Sequence, residues 1–153
     1  LRRASHLHLV DPWAVTAYEE SDEFGNYAAY LKRYEGLVGS RDPGDFQAFY
    51  DAVYRAVCQR FAGRLVTIHR CTSQQFFALF AGPVDWVYVD GLHSHAGCLA
   101  DLRGARRIVR PGGSIFGDDY GNKPGVTLAV DEFVREAGLR LDPFGMNQYE
   151  IAL

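Results

Sequence analysis

Cysteine is scarce in this chain: Cys58, Cys71 and Cys98 are the only three among 153 residues. An odd count without metal-site spacing speaks against a disulfide framework and fits a reducing, cytoplasmic compartment. Long apolar runs are absent too. None approaches the roughly 20 residues that span a bilayer, and no signal-peptide pattern opens the chain, so no membrane is expected. There is no excess of positive charge, since 16 basic residues face 19 acidic ones for a net charge of −3. A nucleic-acid protein driven by bulk charge would be strongly basic, so no nucleic-acid partner is expected. Repeats and low-complexity tracts are also missing. What remains is 48% hydrophobic and 23% charged residues, enough apolar surface to pack a core over 153 residues as a single domain. Leu1 rather than Met stands first and a strand pattern follows at once, from which an upstream segment is expected.

Strand and helix patterns alternate. His6–Val10 reads as a buried strand stopped by Asp11-Pro12, because proline cannot donate to a ladder and biases the residue before it toward extended backbone. Residues 14–44 read as an irregular insertion with a helix around Tyr27–Tyr34 and five aromatics, Tyr18, Phe24, Tyr27, Tyr30 and Tyr34. A lid over a ring and a dimer contact are both open for it. Asp45 is placed to cap a long helix, with Phe46, Phe49, Val53, Val57 and Phe61 at helical spacing and Gly63 as its stop. Then come a strand at Leu65–Ile68, a helix from Thr72 or Ser73 to Phe80, a strand at Val84–Val89 and a helix from Ser94 to Val109. Pro111-Gly112-Gly113 reads as a turn before the strand Ser114–Phe116. A helix spans Gly125–Ala137, and strands at Leu139–Leu141 and Tyr149–Leu153 flank a turn at 144–147. Such alternation predicts an α/β fold, a parallel sheet with helices on both faces. Chemistry in these sheets sits outside the carboxyl ends of the strands.

Those ends are rich in polar residues. Asp11 can hold the two hydroxyls of a ribose, or can be a turn residue before proline. Ser73 and Gln74 can read an adenine edge, or Ser73 can be a plain helix cap. Asp90 stands at the tip of an apolar strand, followed by His93, which can act as a general base or touch a cofactor, and by His95, which reads as a solvent-facing helix residue. Asp118 and Asp119 are adjacent acids at the next strand end. Two neighbouring carboxylates repel, and a bound cation relieves them. With Asp90 they offer three oxygen ligands, a set that suits Mg²⁺. The alternative is an Asp119 that faces solvent or caps a helix. Arg103, Arg106, Arg107 and Arg110 read as a solvated face near a helix C-terminus.

The run from Val84 through Asp90-Gly91-Leu92-His93-Ser94-His95, then Asp101-Leu102, Arg110-Pro111-Gly112-Gly113, Gly117-Asp118-Asp119-Tyr120 and Ala129-Val130-Asp131-Glu132-Phe133 resembles class I S-adenosylmethionine-dependent methyltransferases. The branch it is most similar to is that of the macrocin-type sugar and natural-product O-methyltransferases. Upstream, Leu7–Trp13 resembles that branch's second strand with its acidic ribose ligand. The resemblance implies a Rossmann-like sheet that lacks its first strand, with a gap in the middle, and lacks the glycine-rich loop that cradles the cofactor. It implies that Asp11 holds the ribose of S-adenosylmethionine and that Ser73 and Gln74 lie against the adenine. Asp90, Asp118 and Asp119 match the metal-binding acids, and Asp90 is also implied in catalysis and cofactor binding. The acceptor would be a hydroxyl on a small molecule, sugar or glycan. Where the branch carries a further acid, this chain has Leu92, and His93 next to it could take over as the base. Two alternatives stand beside the metal-assisted enzyme: a metal-independent methyltransferase with His93 as base, and a non-catalytic Rossmann-like module with an incomplete cofactor site. A homodimer is an open expectation.

Overall fold

The computed structural model describes residues 5–18 and 26–153, so Phe24 lies outside the described residues. The chain divides into two compact units, Leu1–Thr72 and Ser73–Leu153. The strands form two sheets, a two-stranded one in the first unit and a four-stranded one in the second.

In the N-terminal unit, β1 (Leu7–Asp11) pairs in parallel with β2 (Val66–Arg70), from Leu7 opposite Val66 to Asp11 opposite Arg70. β2 therefore runs two residues beyond the apolar stretch, and His69 and Arg70 belong to the strand. After a 3-10 turn at Val15–Tyr18 comes α1 (Tyr27–Val38), longer than the helix expected there. Asn26 caps it by accepting the Ala29 N–H, and it stops at Gly39, whose φ of 82° is a left-handed conformation that glycine adopts without strain. α2 (Pro43–Phe61) starts earlier than Asp45. Asp42 is its cap, accepting from the Gly44 and Asp45 N–H groups at 2.8 and 3.3 Å. Pro43 fits the first position because its missing N–H would have had no partner there. Tyr30 is 1% exposed and joins Val15, Leu31 and Phe46 in a core of its own, with Tyr18 stacked on it at 4.3 Å and its hydroxyl 2.5 Å from that of Tyr50. Tyr18, Tyr27, Tyr30 and Tyr34 of the insertion thus pack on one another, and burial pushes the Tyr30 phenol up to about 12.

The C-terminal unit contains α3 (Ser73–Leu79), β3 (Val84–Val89), α4 (His95–Ile108), β4 (Val109–Gly117), α5 (Pro124–Ala137), β5 (Leu141–Phe144) and β6 (Gln148–Ala152). Its strand order is β3-β4-β6-β5, with β3 and β4 parallel and the last two strands antiparallel. The Pro-Gly-Gly segment is not a turn but part of β4, where the register against β3 shifts. The Gly112 N–H donates to Leu153 O and the Leu153 N–H to Gly113 O, so these residues keep strand-like bonds. A Cβ at Gly113 would stand 2.4 Å from Asp85 O, which reserves that position for glycine. β5 begins later than expected because Gly138 (φ 63°) and the Leu139 N–H, bonded to Val134 O, close α5 as a Schellman cap.

The core of this unit lies between α4, α5 and the sheet. Leu102, Ala105, Ala129, Val130, Ile115, Tyr149 and Ile151 are fully buried in it. Each large aliphatic side chain so buried contributes about 1.5–3 kcal/mol. Among the described residues no helix is long and apolar enough to cross a membrane.

Three imidazoles line the two-stranded sheet. His8 Nδ1 is 2.9 Å from His69 Nε2, and the His6 ring lies 4.8 Å from that of His8, with His6 Nε2 bonded to Thr67 Oγ1. Burial, then His6, then His69 lower the His8 pKa below its ordinary 6.5. The folded chain therefore binds that proton less readily than the unfolded chain. Stability contributed by neutral His8 is present above pH 6.5 and is lost as pH falls below it. Denaturant melts at about pH 7.5 and 5.5 should show His8→Gln losing less stability over that interval than the wild type. An equal loss in both would refute the assignment to His8.

Candidate functional site

The parallel register of β3 and β4 sets Val89 opposite Gly117. Asp90 and Asp118 therefore leave the sheet side by side at the carboxyl ends of adjacent strands. His93 follows in the short segment before α4, whose cap Ser94 accepts the Gly97 N–H at 3.2 Å. A Cβ at Gly125 would stand 2.3 Å from His93 O, so the start of α5 packs directly on the backbone of this segment.

Asp119 has φ 66°, a left-handed backbone that costs a non-glycine residue about 1–3 kcal/mol. Local bonds hold it there. Asp118 Oδ1 accepts the Asp119 N–H at 2.8 Å. Asp119 O accepts the N–H groups of Asn122 and Lys123, and Asn122 Nδ2 donates to Asp119 Oδ1 at 2.8 Å. The other oxygen, Oδ2, lies 3.1 Å from His93 Nε2, which is itself 3.9 Å from Asp90 Oδ1. One ligand atom each from Asp90, His93 and Asp119 lies within 4.8 Å of the others. Burial raises the Asp90 pKa most, the Asp118 and Asp119 carboxylates add to the rise, and His93 opposes it.

Of the three acids that the sequence groups together, Asp90 and Asp119 converge with His93, while one oxygen of Asp118 is turned to the backbone of Asp119. Asp118 remains close enough to raise the Asp90 pKa. The donor set of two carboxylates and an imidazole can hold a divalent cation. Mg²⁺ prefers oxygen alone, whereas Mn²⁺, Fe²⁺, Co²⁺ and Zn²⁺ accept an imidazole readily.

Ser73 opens α3 and its side chain is hydrogen-bonded to Asp101, while Gln74 beside it is exposed. In the N-terminal unit, Asp11 ends β1 and its Oδ1 accepts the Trp13 N–H at 2.6 Å. Burial raises the Asp11 pKa and the Trp13 N–H opposes the rise. Among the described residues, the Trp13 N–H is the hydrogen-bond partner seen for the Asp11 carboxylate. Arg70 fixes the exit from β1. Its guanidinium donates to Trp13 O at 2.9 Å, pairs with Asp51 and lies 4.8 Å over the Tyr54 ring.

Residues read as solvent-facing are exposed in whole or in part and also pair with neighbouring elements. His95 is partly exposed to solvent at the start of α4 and lies 3.0 Å from Glu132 Oε2 on α5. Arg103 pairs with Glu136 at 2.8 Å and Arg107 donates to Phe77 O, so part of the basic face binds neighbouring elements. Cys98 is buried and its thiol is pushed up to about 12 by burial and by Asp101. Sequence reasoning assigned no role to Asp101, Asn122 or Tyr149. Asp101 was the most legible of them, an acid on the apolar stripe that contains Cys98, Leu102 and Ala105.

A family model described as a methyltransferase domain matches residues 1–120. The chain belongs to this family, that of the class I S-adenosylmethionine-dependent methyltransferases. Comparison with curated proteins finds no match. Among solved structures, the O-methyltransferase NovP is similar at a TM-score of 0.56 with 15% identity, over 96% of this chain and 59% of that one. The Podospora anserina methyltransferase PaMTH1, bound to S-adenosylhomocysteine, is similar at 0.54 with 14% identity, over 95% of this chain and 70% of that one. At such identity the likeness is one of fold, and that fold is the Rossmann-like α/β arrangement of methyltransferases. The chain spans under two thirds of the length of NovP.

Gly117, the last residue of β4, packs directly against Tyr149. A Cβ there would lie 2.3 Å from the Tyr149 hydroxyl, which is fully buried without a protein hydrogen-bond partner among the described residues. Gly117→Ala is expected to cost about 1–3 kcal/mol through overpacking. Tyr149→Phe, which removes an unpaired buried hydroxyl, is expected to leave stability unchanged or raise it. Chemical denaturation checks both, and a strongly destabilised Tyr149→Phe would show that the hydroxyl is partnered.

Proposed function

We propose that this chain carries the site of an S-adenosylmethionine-dependent O-methyltransferase that methylates a hydroxyl of a small molecule, sugar or glycan with help from a divalent cation. The observation that carries the reading is the convergence of Asp90, His93 and Asp119 at the carboxyl ends of two parallel strands, in a chain of methyltransferase family. Asp11 would hold the cofactor ribose, and Ser73 and Gln74 would lie against its adenine. Asp90, Asp119 and His93 Nε2 would hold the cation, with Asp118 adding negative charge. When bound, the cofactor supplies an electrophilic methyl group on a sulfonium, and the cation lowers the pKa of a hydroxyl held against it. The work of the residues is then to place one oxygen in line with that methyl group and to keep it deprotonated. The three reduced cysteines support a cytoplasmic setting.

The 3.1 Å approach of His93 to Asp119 favours a second reading without metal. If Nε2–H donates to Asp119, the carboxylate fixes the tautomer and Nδ1 is the base that takes the hydroxyl proton. The two readings use Nε2 differently.

Calorimetric titration with S-adenosylhomocysteine tests the cofactor reading first. Saturable one-to-one binding is expected, weakened by Asp11→Ala. No binding to the chain would favour the non-catalytic module. In turnover assays, Asp119→Ala is expected to lower kcat by about 10²-fold or more, the scale of lost general-base or positioning groups. Loss of turnover with chelator, restored by Mn²⁺ or Mg²⁺, supports the metal reading, and chelator-resistant turnover abolished by His93→Ala supports the other.

A further inference from the structure

We propose that Asp101 is a positioning residue whose buried carboxyl ties the first residue of α3, Ser73, to the end of β3 at Gly91, so that one side chain sets two segments of the cofactor site. The inference rests on the cofactor reading above for what those segments bind, but the tie itself is argued from the C-terminal unit alone.

Asp101 lies on α4 and is 5% exposed, the one buried charged residue among the described residues. Its neighbours along the buried stripe of the helix are Cys98, Leu99, Leu102 and Ala105. An apolar residue there would serve the packing of α4 better, because an acid buried among apolar groups pays for desolvation. Burial raises its pKa and a hydrogen bond from Ser73 opposes the rise. Oδ1 has no hydrogen-bond partner among the described residues. Oδ2 approaches Gly91 so closely that a Cβ at that position would stand 2.5 Å away. The carboxyl is therefore bonded on one side to the start of α3 and packed on the other against the residue that follows Asp90. α3 has only seven residues, so its first turn depends on contacts of this kind for its position. Packing alone gives no reason for an acid at this place. The geometry gives one, since a shift of either segment is transmitted to the other through a single rigid group.

Three variants separate positioning from stability. Asp101→Leu removes the bond and the buried acid, Asp101→Asn keeps the shape and an oxygen that can accept from Ser73, and Ser73→Ala removes the donor from the other side. The readouts are the melting temperature, the dissociation constant of S-adenosylhomocysteine, and backbone amide NMR shifts of residues 73–75 and 90–92. The Leu variant is expected to melt at or above the wild-type temperature and yet bind S-adenosylhomocysteine about tenfold or more weakly, the scale of one lost hydrogen bond to a charged group. Asn is expected to restore binding to within a few-fold, and Ser73→Ala to shift the amides at 90–92 although it is far from them in sequence. Unchanged affinity in Asp101→Leu together with unmoved amides in both segments would overturn the proposal. If Asp101→Leu does not fold, unmoved amides at 90–92 in Ser73→Ala overturn it alone. If the wild type does not bind S-adenosylhomocysteine, the cofactor reading falls, and the amide shifts still decide the tie.

Discussion

Three carboxylates at the ends of two neighbouring parallel strands repel one another, and the local structure is organised around that repulsion. Asp90 and Asp118 emerge side by side because β3 and β4 are parallel and in register at Val89 and Gly117. Asp119 follows at once. Among the described residues no lysine or arginine pairs with any of them. The repulsion is met by hydrogen bonds and by one imidazole. Asp118 turns an oxygen to the Asp119 N–H, Asp119 takes the Asn122 amide, and His93 stands between Asp119 and Asp90. What remains is a partly exposed Asp90 whose pKa is raised by its surroundings. A group in that state gains from any positive charge brought to it.

The backbone holds these side chains against local preference. Among the described non-glycine residues, only Trp13 (φ 41°) and Asp119 (φ 66°) have positive φ. Each follows closely on an acid at the end of a parallel strand, Asp11 in one unit and Asp118 in the other. In both cases the preceding acid accepts a backbone N–H from the strained residue. The acid thus stabilises the unusual turn and is itself oriented by it. Strain of about 1–3 kcal/mol persists only where surrounding bonds over-determine the conformation. Arg70 and Gln47, both bonded to Trp13 O, supply them in one place, and the Asn122 and Lys123 N–H groups supply them in the other.

The strand-end acids were legible in the sequence because each follows an apolar run that can only be a strand, and the α/β fold was legible from the same alternation. The order of strands within each sheet was not, since pairing between distant segments leaves no periodic trace. The Pro-Gly-Gly segment misleads because its glycines mark a close approach to Asp85 O and a bulge, and they look the same in a sequence as glycines of a turn. Asp42 and not Asp45 caps α2, and the proline after it is the signal in the sequence. Tyr18, Tyr27 and Tyr30 were open between a lid and a dimer contact because aromatic residues among acids look exposed until their mutual stacking is seen. The part of Asp118 was hidden by a backbone bond, which no composition or spacing encodes.

The two units treat charge in opposite ways, and the contrast bears on what the C-terminal site accepts. Around the exit of β1, Arg70 is a fixed cation that neutralises Asp51 and anchors Trp13 O, so that region carries its own compensation. At the ends of β3 and β4, the ion pairs seen among the described residues are those of His93 with Asp90 and Asp119, and they carry a positive charge only when the imidazole is protonated. A neutral imidazole leaves the cluster with net negative charge, and a protonated one cannot serve as a base. Low-salt binding of a cationic ligand, whether a sulfonium or a metal ion, is therefore favoured by the same carboxylates in every protonation state that leaves His93 basic. The carboxylates at these strand ends thus favour a positively charged group over an anionic one before any shape is considered.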